Sequence, residues 1–116
     1  MWHNASIMKP LYHPTPDQIT LAGVLYALGD PARLHIVELL ATEGEQPCGA
    51  FNCNLAKSTV SHHFKILRES GVIYSRKSGT QHLNSLRRDE LNQLFPGVLD
   101  AVLNNCQSRI QEPASR

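Results

Sequence analysis

No apolar run in the chain approaches the roughly 20 residues that a membrane-crossing helix needs, so a transmembrane span is not expected. The segment before residue 17 is broken by Pro10, Pro14 and Pro16 and has no hydrophobic signal core, which points to a cytoplasmic protein. Cysteine is scarce. Cys48, Cys53 and Cys106 make an odd number, too small for a disulfide scaffold, and reduced thiols are expected. Internal repeats and low-complexity tracts are missing. So are the familiar catalytic signatures G-x-S-x-G, the P-loop and H-E-x-x-H, so the chain is not expected to be an enzyme. Strong net charge is also lacking, at +1 overall.

What remains is a chain of 116 residues with 41% apolar and 18% charged residues, a balance that suits one globular domain and excludes wholesale disorder. A chain this size builds one modest core, and a dimer would give its apolar faces more to pack against. The charge is unevenly spread. Between Lys57 and Arg88 lie seven of the eleven basic residues (Lys57, Lys65, Arg68, Arg76, Lys77, Arg87 and Arg88) and only one of the ten acids, Glu69. His62, His63 and His82 fall in the same stretch. A basic segment inside a nearly neutral protein is the electrostatic footprint of a phosphate-binding surface, although a merely solvated charged face would look the same by charge alone.

The pattern along the chain divides it into an N-terminal arm (1–16), a domain (17–110) and a frayed tail (111–116). Residues 17–29 read as a helix with Leu21, Val24, Leu25 and Leu28 on one stripe, stopped by Gly29. Asp30 and Pro31 read as N-cap and first residue of a second helix running to about Thr42. Glu43 to Gln46 reads as a polar loop, and Pro47 to Asn54 as one short helical turn at most. Residues 57–70 read as a helix with Val60, Phe64 and Leu67 facing the core and Ser58, Ser61, His62, Lys65 and Arg68 on the other side. Short hydroxyls there would let a helix enter a major groove roughly 12 Å wide, with longer cations behind to reach phosphates. Gly71 follows as a left-handed stop. From Val72 to Leu86 the period changes, and Ser78-Gly79 marks the turn of a β-hairpin with Arg76 and Lys77 near its tip. Tyr74 and Leu83 are expected in the sheet core. A short helix over 89–95 and a last helix from Val98 to about Ile110 complete the pattern. That last helix carries Leu99, Val102, Leu103, Cys106 and Ile110 on one stripe, more apolar than a lone terminal helix should be.

The segments LYALGDPARLHIVELL (25–40), KSTVSHHFKILRESGVI (57–73) and RKSGTQHLNSL (76–86) resemble those of the arsenic-repressor (ArsR/SmtB-type) bacterial regulators, in order and in spacing, over about residues 19–105. The resemblance implies a mainly α fold with a β-hairpin wing, an α+β winged helix-turn-helix. It also implies a homodimer that represses transcription from pseudo-palindromic double-stranded DNA operators until an effector or a thiol modification releases it. By the same resemblance, Lys57, Ser58, Thr59, Ser61, His62, His63, Lys65 and Arg68 would contact DNA from the recognition helix, with His63 alternatively packed beside the core. Arg76, Lys77, Thr80 and Gln81 would contact it from the wing. Leu21, Leu25, Leu99, Val102, Leu103 and Cys106 would line the dimer interface. One departure stands out, because PCGAFNCNLA leaves the usual positioning helix short or irregular. The rival reading is a winged helix used for protein contact, which often loses the wing cations and small polar helix face kept here.

The metal sites familiar in such proteins use closely spaced cysteines beside the recognition helix, or Asp/His and His/Glu pairs on the last helix. The last helix has Asp100 but no histidine, and Cys48 and Cys53 are five apart, not at Cys-X-Cys or Cys-X-X-Cys spacing. No metal and no cofactor are therefore expected. A bent loop would still let Cys48 and Cys53 hold a metalloid, with His3 or His13 joining. Alternatively, the two would pair on oxidation, Cys53 being activated by Lys57 and the helix N-terminus. The plainer assignment makes both small apolar fillers and Cys106 dimer core.

Overall fold

The computed structural model describes residues 11–51 and 54–110, with side chains to residue 106. The arm's first ten residues, the tail, and Cys53 lie outside the described residues. Among the described residues five α-helices, α1 (Leu21–Leu28), α2 (Pro31–Glu43), α3 (Lys57–Glu69), α4 (Arg88–Leu94) and α5 (Val98–Ile110), surround a small sheet. Its strands β1 (Gln46–Pro47), β2 (Ile73–Ser78) and β3 (Gln81–Leu86) are antiparallel in the order β1-β3-β2.

Local chemistry explains where the helices begin and end. α1 is shorter than its apolar stripe suggests. Pro16–Gln18 forms a separate 3-10 turn, Ile19 is extended and buried, and the Thr20 hydroxyl accepts the Gly23 N–H to start the helix proper. Asp30 caps α2 as its position implies, accepting from the N–H groups of Ala32 at 2.9 Å and Arg33 at 3.2 Å. α3 ends in a complete Schellman motif, with Gly71 N–H donating to the Arg68 carbonyl and Val72 N–H to that of Leu67. Gly71 has φ +90°, and a Cβ there would stand 2.5 Å from the buried Ile19 side chain, so glycine is required twice over. Between α2 and α3 the positioning helix is reduced to the 3-10 turn Cys48–Ala50. The expected polar loop ending at Gln46 instead contributes a short strand, because Gln46 pairs with Asn84 and Pro47 with Leu83 on β3.

One core joins all these elements. Ile36 and Val37 of α2, Phe64 and Leu67 of α3, Val72, Ile73, Leu91 of α4 and Leu99 of α5 are all buried in it. Phe51 seals one end, packed edge-on to Phe64. In the hairpin, the inward pairs are Ile73–Leu86 and Ser75–Asn84, and the outward pairs Tyr74–Ser85 and Arg76–Leu83. Tyr74 and Leu83 are therefore not sheet core. A strand alternates sides every residue, and burial of Ile73 turns Tyr74 outward, where it is exposed. Leu83 lies on that same outer face, one residue from buried Asn84.

α5 packs against α2 and α4 of its own chain. That corrects two of the expected dimer residues: Leu99 and Leu103 are buried in the chain's own core. Sequence periodicity marks an apolar stripe but does not say whose core fills it. Leu25 remains exposed, and Val102 and Cys106 half-buried, along a groove between α1 and α5, and Leu21 is exposed one turn earlier on α1. Among the described residues, no helix is long and apolar enough to cross a membrane.

Candidate nucleic-acid interface

α3 has two unlike faces. Phe64 and Leu67 point inward, while Lys57, Ser58, Thr59, Ser61, His62 and Lys65 are all exposed. Ala56 at the N-cap offers no side-chain acceptor, so among the described residues the N–H groups of Lys57 and Ser58 stay open beside these short polar side chains, while that of Thr59 donates to the Ala56 carbonyl. A helix end of this kind favours an anion such as a phosphate. The hairpin stands next in sequence, with Lys77, Thr80 and Gln81 exposed around a turn where Gly79 has φ +65°.

Several sequence-predicted cations do not face outward freely. Arg76 is half exposed and forms a fork with Glu45, its Nε and Nη2 donating to the two carboxylate oxygens at 2.9 and 3.0 Å. That pair holds Glu45 below the usual carboxylate range and raises Arg76. Arg87 is nearly buried, where it pairs with Glu90 and donates to the Pro14 carbonyl at 3.0 Å. Arg88 is taken by Asp100 at 3.1 Å. Arg68 is half-buried, with a buried Nε that has no partner among the described residues. The basic stretch is thus continuous in sequence but not in space.

His63 is the clearest correction among the helix residues. Its side chain is only 12% exposed, with Nδ1 3.1 Å from Nη1 of Arg33 and Nε2 3.9 Å from the Asp30 carboxylate. Position 63 lies one residue short of the buried Phe64, so its side chain leans toward the α1–α2 corner instead of the open face. Burial pushes Asp30 up. The N–H donors of Arg33 and Ala32, then the neighbouring His63 ring and the Arg33 charge, outweigh this and hold its carboxyl below the ordinary value.

Cys48 sits half-buried at the foot of the wing, its sulfur 3.3 Å from the Asn84 Nδ2. It borders crevices reaching Val60 and Ser61 of α3 and Thr80, Gln81 and His82 of the hairpin. Cys106 is half-buried in the α1–α5 groove, where burial and the nearby Glu38 push its thiol up. The described residues contain no cluster of three or more His, Cys, Asp or Glu side chains.

Three features escaped the sequence reading. Arg33 is buried and donates to two carbonyls of α1. The available signal was its place at the head of the stripe Arg33, Ile36, Val37 and Leu40, a charge at i of an i, i+3, i+4, i+7 core pattern. Asn84 is fully buried inside the wing, at the inward register position that Leu86 also occupies. Part of the expected flexible arm is docked: His13 Nε2 accepts the Ser75 N–H at 2.9 Å and its ring stacks on Tyr74 at 4.5 Å. No local sequence signal announces a contact across so many residues.

The model for bacterial regulatory proteins of the arsR family matches residues 30–75, from the cap of α2 into β2. The chain is 39% identical to the "Uncharacterized HTH-type transcriptional regulator YceK" of Bacillus subtilis (strain 168), over 88% of this chain and 100% of that one. It is 31% identical to an arsenical resistance operon repressor of Staphylococcus xylosus, over 64% of this chain and 72% of that one. The crystal structure of an ArsR family transcriptional regulator superposes with a TM-score of 0.59 at 22% identity, covering 78% of this chain and 96% of that one. That likeness bears on the fold and agrees with the winged-helix arrangement of α3 and its hairpin. Sequence relatives and architecture converge, and the chain belongs to the arsR family of bacterial regulatory proteins, DNA-binding transcriptional regulators.

Proposed function

We propose that the chain is a homodimeric repressor that grips a pseudo-palindromic operator with two copies of α3 and its wing. The observation carrying this reading is the outer face of α3, where Lys57, Ser58, Thr59, Ser61, His62 and Lys65 are exposed together beside Lys77, Thr80 and Gln81 of the hairpin. Ser58, Thr59, Ser61 and His62 are short enough to read base edges, while Lys57, Lys65 and Lys77 neutralise phosphates. Arg76 joins them after leaving Glu45, and Arg68 supports the end of the face.

A second copy would cover the groove between α1 and α5. Leu25 is 49% exposed there, with Val102 and Cys106 beside it, and Leu21, 42% exposed, stands one turn earlier on α1. In such a dimer the two reading helices meet half-sites about one helical turn, roughly 34 Å, apart. Release follows from an effector or from thiol modification. Cys48 supports the thiol route because its sulfur lies between α3 and the wing, so a group added to it would press on both.

The test is fluorescence anisotropy of the reduced protein with DNA from its own promoter region, repeated after mild oxidation and after adding Zn²⁺ or arsenite. Tight binding that weakens steeply with salt supports the reading, since each phosphate contact adds to the log–log slope. Loss on one treatment identifies the class of switch. Absence of binding to any promoter fragment overturns it in favour of a protein-contact module.

A further inference from the structure

We infer that Arg33 and His63 form a positioning link that sets the angle of the reading helix against α1, and through it the half-site spacing the dimer accepts. The inference rests on the operator-binding reading above. Arg33 is 7% exposed, and each of its three guanidinium nitrogens has a partner. Nε donates to the Ala27 carbonyl at 2.6 Å, Nη2 to that of Tyr26 at 3.2 Å, and Nη1 to His63 Nδ1 at 3.1 Å. Its carbon lies 5.4 Å from the centre of the Tyr26 ring.

Ala27 and Tyr26 belong to the last turn of α1, whose closing carbonyls lack the usual partner four residues on and favour a cation; the Tyr26 carbonyl also accepts the Gly29 N–H. One planar fork therefore ends α1, stands in the first turn of α2 and reaches α3. A guanidinium has no acceptor, so His63 Nδ1 must accept, which leaves the proton on Nε2, the nitrogen facing Asp30. Asp30 is itself fixed by capping α2. Of two adjacent histidines, His62 faces outward beside the other exposed polar side chains and His63 ties the helix down.

A buried charge is poor value as a packing element, since an apolar side chain of similar volume would serve stability as well or better. A rigid fork contributes fixed geometry instead. The geometry matters here because Tyr26, 67% exposed, and Leu25, 49% exposed, lie on the same α1 that the second copy would contact. A tilt of α1 against its partner is carried to α3 through the Tyr26 and Ala27 carbonyls and Arg33, alongside the direct packing of α1 on α3.

The test uses the full chain and three DNAs: the bound promoter site, and the same site with one base pair added or removed between half-sites. A single half-site and thermal melting serve as controls. His63→Leu should bind the natural site about tenfold more weakly, the loss expected for a hydrogen bond to a charged group. It should also lose most of the preference for natural spacing while half-site affinity stays unchanged. His63→Asn, which keeps an acceptor near the Nδ1 position, should restore spacing preference. In an Arg33→Lys background, where the fork is gone, His63→Leu should add little, the non-additivity of one shared interaction. A shifted preference at one base pair with spacing intact would show that His63 reads a base, and would overturn the link. Equal losses on every DNA, or no loss on any, would overturn it also. If wild-type protein binds none of these DNAs, the operator reading itself fails first and the link's role fails with it.

Discussion

Asn84 and Cys48 meet at the base of the wing, the Asn84 amide nitrogen 3.3 Å from the sulfur. The same nitrogen lies 3.2 Å from the Gln46 carbonyl, and the amide oxygen accepts the Ser75 hydroxyl at 2.6 Å. A single buried amide thus holds β1, β2 and the Cys48 turn on one strand. Asn84→Ala leaves a buried hydroxyl and a carbonyl without their partner, and should cost about 2–3 kcal/mol of stability by chemical denaturation. Cys48→Ala removes only a weak sulfur acceptor and should cost less than about 1 kcal/mol. Equal costs would mean that the sulfur, not the carbonyl or the hydroxyl, is the partner that matters.

The exposed residues of α3 and the wing should separate by role. Lys77→Ala should weaken binding to matched and scrambled DNA alike and reduce the salt slope by about 1. Ser61→Ala or His62→Ala should change sequence preference, by about 1–3 kcal/mol at one base pair, with the salt slope intact. Because Glu45 occupies the Arg76 fork, Glu45→Gln should tighten binding to all sequences and steepen the slope. Titrations on both DNAs at several salt concentrations check all three. Identical behaviour of Lys77→Ala and Ser61→Ala would overturn the division.

How much of this was legible beforehand depended on whether the signal was local. The Asp30-Pro31 start, the Gly71 stop and the Ser78-Gly79 turn each follow from the backbone chemistry of one or two residues, and all three stand in the structure. The polar face of α3 followed from helical periodicity. Partnership did not. The stretch from Lys57 to Arg88 carries seven cations and one acid in sequence, yet acids from distant segments, Glu45 and Asp100, take up Arg76 and Arg88. Arg33, His63 and Asn84 are polar residues at inward positions, and only the fold supplies the groups that satisfy them.

The docked arm gives a pH dependence whose sign is fixed. Burial, then the charges of Arg68 and Arg87, hold His13 below its ordinary value near 6.5. The neutral ring accepts the Ser75 N–H, which a protonated ring cannot do. As pH falls below about 6.5 the unfolded chain takes up the proton first, so stability should decline until the lowered folded value is passed. Asp30 and Glu90, both held low, lose their contributions only as pH falls below the ordinary carboxylate values near 4. His13→Ala should cost about 1 kcal/mol at pH 7.5 and flatten the decline in stability just below about pH 6.5. Parallel profiles for the two proteins would show that the arm does not report this histidine.

Leu99 and Leu25 sit on the two apolar helices expected to form the interface, and substitutions at them should fail in opposite ways. Leu99 is 2% exposed within its own chain, so Leu99→Ala opens a cavity and should cost about 2–5 kcal/mol without changing the assembly. Leu25 is 49% exposed beside the α1–α5 groove, so Leu25→Glu should leave the melting of the isolated chain nearly unchanged. A glutamate there would instead meet an apolar partner surface, and desolvating its charge is costly enough to disfavour the dimer. Sedimentation velocity should then give a single-chain mass, with operator affinity falling toward that of one half-site. A Leu25→Glu protein that still sediments as a dimer would place the interface on another face, and the route from α1 through Arg33 to the reading helix would lose its input.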